Sequence, residues 1–181
     1  MIGKTGIWSK QEAQTHAFSY YTAKYIGDYF EKDRRVIDLG CGNGTYCGYL
    51  KDRGFFDVIG IDGLPGHDFD VNVSDLSKPL PDWVRKGNVL SIEVFEHIPK
   101  EHESQFVDNI CSVCDNKLVL SVAVKGQPGL GHVNCQDNAY IVDLFERKGF
   151  VFQIQRTAEI RANVESHVDY LRNTLMVFER V

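Results

Sequence analysis

The sequence predicts an α/β fold in which a mostly parallel, doubly wound sheet carries helices on both faces. Three observations predict it: strand-length apolar runs recur along the chain, helical stretches separate most of them, and closely spaced glycines follow the first run. Strands that alternate with helices run parallel, because each crossover returns the chain to the same edge of the sheet. The predicted strands cover 35–39, 57–61, 69–72, 88–92, 117–124, 150–155 and 173–180, and the predicted helices 10–31, 44–53, 79–86, 100–114 and 136–148.

Length and composition indicate one soluble domain. The 181 residues are 43% hydrophobic and 25% charged, which is ordinary for a globular protein with a sizeable core. We expect 1–181 to form a single domain, with an N-terminal helical cap over 1–32 and a nucleotide-binding type of core over 33–181. No run of about eighteen apolar residues occurs and the start lacks the apolar core of a signal peptide, so we expect a cytoplasmic protein without membrane contact.

Charge and cysteine usage exclude several function classes. The formal net charge is −5 and no basic stripe is visible, which argues against a nucleic-acid partner. Five cysteines in unrelated contexts indicate a reducing compartment. Cys111 and Cys114 form a C-x-x-C without a second pair for tetrahedral zinc. They lie in a helical stretch, so we interpret them as buried structural cysteines.

The glycines after the first strand predict a loop that binds a nucleotide-like cofactor. Val36–Leu39 suits a buried strand, and Gly40, Gly42 and Gly44 suit a tight loop before a helix that begins near Thr45. The dinucleotide fingerprint G-x-G-x-x-G would need its third glycine one residue later. No G-x-x-x-x-G-K-[ST] is present, so the loop is not a cradle for a nucleoside triphosphate.

The second predicted strand ends in a carboxylate. Asp62 closes the run Val-Ile-Gly-Ile-Asp about twenty residues after the first glycine, where a carboxylate can accept hydrogen bonds from both ribose hydroxyls. Val-Ser-Asp-Leu follows at 73–76. There Asp75 has two open interpretations, an adenine contact or the cap of a turn.

Two polar segments follow the fourth and fifth predicted strands, at the edge of the sheet where open α/β folds bind ligands. The first, at 91–99, contains Glu93 and His97, and the second, at 126–136, contains His132 between flexible glycines. Because 126–136 shows no periodicity that would bury His132, we interpret that histidine as part of a site.

The pattern D-x-G-x-G-x-G, which begins at Asp38, resembles motif I of the class I S-adenosylmethionine (SAM) methyltransferases. This resemblance implies a seven-stranded Rossmann-like sheet with an antiparallel last strand, its strands 150–155 and 173–180 joined as a hairpin without a clear helix. It also implies that SAM is the cofactor and S-adenosylhomocysteine the product. The cofactor contacts that it implies are Asp38, Gly40, Cys41, Gly42, Gly44, Asp62, Gly63, Asp75, Leu76 and Glu93.

The acceptor side indicates the substrate class. The fourth strand lacks the Asn/Asp-Pro-Pro-aromatic motif of enzymes that methylate exocyclic base nitrogens, and E-V-x-E-H-I-P at 93–99 resembles small-molecule methyltransferases. Together with G-Q-x-G-x-G-H-V-N-C-Q at 126–136 and N-T-L-M-V-F at 173–178, it resembles methyltransferases of sugars and glycans. Some of these are linked to glycosylation in large DNA viruses, so a viral origin would place the protein in the host cytoplasm.

The resemblance therefore implies an O-methyltransferase that modifies a sugar hydroxyl, on a glycan or glycoside. Two alternatives stay open. One is methylation of another small metabolite at oxygen or nitrogen, and the other is a non-catalytic SAM-binding subunit.

Methylation of an alcohol needs a base, because a sugar hydroxyl is a very weak acid. The candidates are His132, His97 and Glu93, and we favour His132 because its glycine-rich loop can fold over the acceptor. We predict no metal; the alternative is that the same three side chains converge on a divalent cation such as manganese or magnesium. The predicted substrate-binding residues are Asn134, Gln136 and His16.

Overall fold

The computed structural model describes residues 7–8, 17–65 and 71–181, and its centre is one seven-stranded sheet. The strands are β1 Val36–Leu39, β2 Val58–Asp62, β3 Val71–Val73, β4 Gly87–Ser91, β5 Cys114–Ser121, β6 Phe150–Phe152 and β7 Leu175–Arg180. The helices are α1 Tyr20–Tyr29, α2 Thr45–Asp52, α3 Glu103–Val113, α4 Asn138–Glu146, α5 Ile154–Ala162 and α6 Leu171–Thr174.

The sheet has the order β3-β2-β1-β4-β5-β7-β6. Neighbours from β3 to β5 pair in parallel, whereas β7 pairs antiparallel with both β5 and β6. The predicted fold class, including the antiparallel last strand, is therefore confirmed. The strand order reverses between β1 and β4, so a crevice opens beyond their carboxyl ends, where such sheets bind ligands.

Two buried clusters cover the two faces of the sheet. Successive side chains of a strand point to opposite faces, so Val36 and Ile37 of β1 belong to different clusters. Ile37 packs in the cluster that includes Phe106 of α3, and Val36 packs in the cluster that includes Leu50 of α2. Both faces are covered, and the edge at the strand ends stays available for a site.

Two predicted connections differ from the structure. No helix forms over 79–86, where Pro79 and Pro81 interrupt the chain and only a turn closes from Pro81 to Val84. The predicted hairpin without a helix is wrong, because β6 ends at Phe152 and α5 and α6 precede β7. The sequence signal of α5 is weak because only two of its residues, Thr157 and Ile160, are buried.

In the described part of the chain, the N-terminal helix begins later than the prediction of a helix over 10–31 requires. Within the described residues α1 spans Tyr20–Tyr29, and the side chain of Ser19 caps it by accepting a hydrogen bond from the backbone N of Thr22. Residues 10–16 lie outside the described part of the chain. None of the described helices is both long and apolar enough to span a bilayer.

Candidate active site

A cavity of about 300 Å³ lies at the carboxyl ends of the central strands. Its walls come from the loop after β1, the end of β2, the segment after β4 and the loop after β5. This volume and this position are typical of small-molecule sites in open α/β folds. The two polar segments that the sequence predicted therefore meet the glycine loop in one cavity.

The glycine loop contains three residues whose backbone conformation is unfavourable for any residue with a side chain. Gly40, Gly42 and Gly44 have φ values of 82°, 55° and 82°, in the left-handed region that favours glycine. A Cβ at Gly40 would also lie 2.3 Å from Cγ2 of Val94, so this glycine lets the segment after β4 approach the loop. Gly44 is the N-cap of α2. The structure thus contains the tight glycine loop that the sequence predicted between the first strand and the next helix.

Asp62 joins the loop to the end of β2. Its Oδ2 accepts a hydrogen bond from the backbone N of Gly42 at 2.9 Å, and its Oδ1 accepts one from Leu64 N at 3.0 Å. At the neighbouring Gly63, a Cβ would lie 2.6 Å from Cγ1 of Ile7, so glycine lets residues 7–8 cover the cavity. The carboxylate lines the cavity beside the loop, which is the arrangement that the predicted ribose contact requires.

Asp38 is a buried acid in the cavity wall. Only 2% of the residue is exposed, and its carboxylate accepts a hydrogen bond from Sγ of Cys47 at 3.6 Å. Burial raises the pKa of Asp38 to about 7. A cationic ligand in the cavity would favour the ionised carboxylate, so this residue can couple ligand binding to pH. Cys41, also predicted, is buried beside it and lines the same cavity.

Leu76 lines the cavity, whereas the carboxylate of Asp75 caps a turn. Its Oδ1 accepts hydrogen bonds from the backbone N of Ser77 at 3.0 Å and from Oγ of Ser77 at 2.6 Å. Of the two interpretations of Asp75, the structure thus supplies the turn cap. The carboxylate is occupied by its own turn, and Asp75 is not among the described residues that line the cavity.

Glu93 connects the segment after β4 to the loop after β5. Its backbone N donates to Oγ of Ser121 at 2.8 Å, and its Oε2 accepts from Nε2 of Gln127 at 3.1 Å. Its φ of 52° is the one left-handed value at a described non-glycine residue, so its backbone is strained. Oε1 is buried without a hydrogen-bond partner among the described residues. Strain of this kind is common where a side chain is held for a ligand.

Glu96 is the residue that the sequence analysis missed. It is fully buried, and within the described part of the chain neither carboxylate oxygen has a hydrogen-bond partner. Burial, and next the neighbouring charge of Glu93, raise its pKa well above the usual value. The available signal was its position directly before His97 in the segment after the fourth strand.

Two histidines complete this end of the cavity. The ring of His132 lies 5.1 Å from that of His97 between centroids, and its Nε2 lies 3.9 Å from Oε1 of Glu96. Trp8 contacts His97 edge to face at 5.0 Å. Both predicted histidines therefore line one cavity, and the carboxylate of Glu96 lies close to His132.

The predicted substrate contacts of Asn134 and Gln136 differ from the structure. Asn134 is 4% exposed and donates from Nδ2 to Oε2 of Glu103 at 2.9 Å, and Gln136 donates from Nε2 to Oδ1 of Asn134 at 2.7 Å. These amides fix the loop after β5 onto α3, and neither is among the described residues that line the cavity. His16 lies outside the described residues.

Comparisons with known proteins agree with this architecture. A family model described as a methyltransferase domain matches residues 13–123, and a comparison with curated proteins gives no significant match. The TehB-like SAM-dependent methyltransferase of Corynebacterium glutamicum superposes with a TM-score of 0.66 at 19% identity, over 94% of this chain and 92% of that one.

Two further solved structures have the same fold. Magnesium protoporphyrin IX methyltransferase of Synechocystis, solved with S-adenosylhomocysteine, gives a TM-score of 0.63 at 19% identity over 94% of this chain and 83% of that one. The 1,6-didemethyltoxoflavin-N1-methyltransferase of Burkholderia thailandensis gives 0.63 at 13% identity over 96% and 80%. At these identities the similarity concerns the fold alone.

Proposed function

This chain belongs to the methyltransferase-domain family, and from that premise we propose that it is a SAM-dependent O-methyltransferase that modifies a sugar hydroxyl of a glycan or glycoside. The observation that carries the proposal is that a cofactor-type glycine loop and the side chains of Glu93, His97 and His132 line one cavity. The first would hold a methyl donor, and the second would handle the proton of a weakly acidic acceptor.

The cofactor end of the cavity fits SAM. The positive-φ loop lets the backbone lie against a ligand, and Asp62 offers carboxylate oxygens at the end of β2 for ribose hydroxyls. Asp38 lies where a cationic amino-acid moiety would stabilise its ionised form. SAM, when bound, supplies a methyl group on a positively charged sulfur, which already makes the methyl electrophilic.

The acceptor end of the cavity fits an alcohol. Methyl transfer to a neutral sugar hydroxyl requires that the proton leave the oxygen, and Glu93, His97 and His132, which can accept a proton, line the same cavity. The net charge of −5 also favours a neutral acceptor over a polyanion such as nucleic acid. His132, the base predicted from the sequence, faces this region through its Nε2 atom.

An aromatic acceptor is the second candidate, because aromatic side chains form much of the remaining wall. Trp8, Phe18, Tyr46 and Tyr170 line the cavity, and flat rings stack on such surfaces. A phenol or a heterocyclic nitrogen would bind there without needing the same density of proton acceptors.

Incubation with methyl-labelled SAM and separate acceptor panels tests the proposal. The panels are methyl glycosides, phenols, heterocyclic amines, and DNA and RNA oligonucleotides. We expect label in a glycoside and none in nucleic acid. Label that enters only phenols or amines would overturn the sugar assignment, and no transfer to any acceptor would favour a non-catalytic SAM-binding protein.

A matched pair of variants ties the activity to the cavity. Glu93→Gln removes a cavity carboxylate and should abolish transfer while SAM still binds. Glu101→Gln makes the same chemical change at an exposed residue and should leave transfer unchanged.

A further inference from the structure

The acceptor end of the cavity contains more ligating side chains than a single proton acceptor requires. We propose that Glu96, His97 and His132 together bind one divalent transition-metal cation. The inference deepens the proposed function and rests on it only for the nature of the acceptor.

The three side chains are spaced as ligands of one ion. Their ligating atoms all lie within 4.8 Å of one another, and Nε2 of His132 is 3.9 Å from Oε1 of Glu96. Two ligand atoms that are each about 2.1 Å from a common ion lie roughly 3–4 Å apart. The observed spacing therefore closes onto an ion with small side-chain movements, whereas 3.9 Å is too long for a direct hydrogen bond.

Both imidazoles are oriented as in metal sites. Nδ1 of His97 lies 3.2 Å from the carbonyl oxygen of Gly131, and Nδ1 of His132 lies 3.2 Å from that of Gln127. A carbonyl oxygen only accepts, so a hydrogen bond to it requires the proton on Nδ1 and leaves the lone pair on Nε2; Sγ of Cys135, a weak acceptor, lies 3.6 Å from the same Nδ1 of His132. Metal-bound histidines characteristically donate their second N–H to a carbonyl or carboxylate in this way.

Glu96 supplies the independent observation that a ligand is missing. It is 0% exposed, and neither carboxylate oxygen has a partner among the described residues. A buried acid is normally neutral, paired with a cation or coordinated to a metal. A cation between Glu96 and the two imidazoles would stabilise the ionised carboxylate.

The backbone holds this arrangement in place. The backbone N atoms of Val133 and Asn134 both donate to the carbonyl oxygen of Glu96 at 2.9 Å, which ties the loop after β5 to the segment after β4. A Cβ on Gly129 would lie 2.1 Å from Nε2 of His132, so the imidazole rests directly on this glycine. The site is thus built by specific contacts between two loops.

The ligand set indicates the class of metal. Two imidazoles and one carboxylate suit Mn²⁺, Fe²⁺, Co²⁺ or Zn²⁺, whereas Mg²⁺ and Ca²⁺ prefer oxygen ligands throughout. Three protein ligands leave coordination positions open, as in catalytic sites. Adjacent hydroxyls of a sugar are suitable occupants of those positions.

Metal binding would change the assignment of the base. The lone pair on Nε2 of His132 would then bind the ion. Glu93 would accept the hydroxyl proton instead, through its Oε1, which is buried without a hydrogen-bond partner among the described residues. In the transfer, the acceptor oxygen forms the new O–C bond while the electron pair of the broken C–S bond stays on sulfur. The proton of the hydroxyl passes to the carboxylate of Glu93.

Binding of Mn²⁺ alone to chelator-treated, desalted protein tests the site without an acceptor. Electron paramagnetic resonance of free Mn²⁺ should reveal one bound equivalent. Glu96→Gln, which keeps the side-chain shape, should weaken binding by more than the roughly 10–100-fold that loss of a supporting hydrogen bond costs. Gly129→Ala should also weaken it, because it displaces His132 without removing a ligand.

His102→Ala is the matched control, since it removes a histidine five residues from His97, and it should bind Mn²⁺ as the parent does. Absence of Mn²⁺, Co²⁺ and Zn²⁺ binding to the parent protein would overturn the inference. Unchanged Mn²⁺ binding in both Glu96→Gln and Gly129→Ala would also overturn it.

The proposed function and the metal site fail in distinguishable ways. If glycosides are methylated and the parent protein binds none of Mn²⁺, Co²⁺ and Zn²⁺, the metal site is refuted and the proposed function stands. If one Mn²⁺ binds, the variants lose it and glycosides are not methylated, the metal site stands and the sugar assignment fails.

Discussion

The two ends of the cavity are built in opposite ways. At the cofactor end, Asp62 binds the backbone of Gly42 and Leu64, so the carboxylate belongs to the scaffold of the loop. At the acceptor end, Glu96 and one oxygen of Glu93 are buried without partners among the described residues. The carboxylate of Asp62 thus has backbone donors without a ligand, whereas the carboxylates of the acceptor end keep oxygen atoms available for one.

This difference separates the expected effects of substitutions. A change at the cofactor end should alter SAM affinity, because it disturbs backbone that contacts the ligand. A change at the acceptor end should alter turnover and leave SAM affinity unchanged. SAM affinity and turnover therefore distinguish the two ends.

The largest effect is expected for Gly42→Val. A β-branched residue is strongly disfavoured at a φ of 55°, and the change would disturb the hydrogen bond from Gly42 to Asp62, so we expect no SAM binding by calorimetry. Gly149→Val is the control, since Gly149 has a φ of 84° with no heavy atom near its Cβ position. Equal loss of binding in both variants would mean that backbone strain anywhere abolishes binding, and that the loop has no special role.

The second-largest effect is expected when either histidine of the cavity is replaced. His97→Ala and His132→Ala should each lower turnover by roughly 10²–10⁴-fold, the range for a proton-transfer group, with SAM affinity unchanged. His102→Ala should lower neither. If His132→Ala retains full turnover and His97→Ala loses it, only His97 acts as the base or the metal ligand.

A smaller effect is expected for Asp62→Ala. Loss of hydrogen bonds to a charged group should weaken SAM binding by roughly 1.5–3 kcal/mol, measured by calorimetry. Asp75→Ala removes a carboxylate that the structure assigns to a turn with Ser77, and we expect it to leave SAM affinity nearly unchanged. If Asp75→Ala weakens SAM binding as much as Asp62→Ala does, the predicted contact of Asp75 with adenine would be supported instead.

The smallest effect is a dependence of SAM affinity on pH. The pKa of Asp38 is about 7 without ligand, so below that value the carboxyl holds a proton that a cationic ligand must displace. Affinity should therefore rise with pH by at most about tenfold per unit below the pKa and level off above it. Asp38→Asn should flatten the profile, and a profile that stays equally steep in Asp38→Asn would assign the proton to another group.

Local sequence patterns were sufficient to predict the fold class and the cofactor loop. Both follow from local patterns: apolar runs separated by helical stretches, glycines at every second position from Gly40, and an acid at the end of the next strand. A positive φ strongly favours glycine, so a run of closely spaced glycines after a strand could be recognised without knowledge of its neighbours. The helix α5 escaped recognition because only Thr157 and Ile160 are buried and its pattern is weak.

Only the tertiary structure decided the acceptor end. Asn134 was predicted to bind a sugar, but its partner is Glu103, a residue 31 positions away. Glu96 drew no prediction, yet it is buried where the loop after β5 brings His132 next to it. Burial and side-chain partners depend on which loops meet at the edge of the sheet, and that meeting is set by strand order and packing between segments far apart in the sequence.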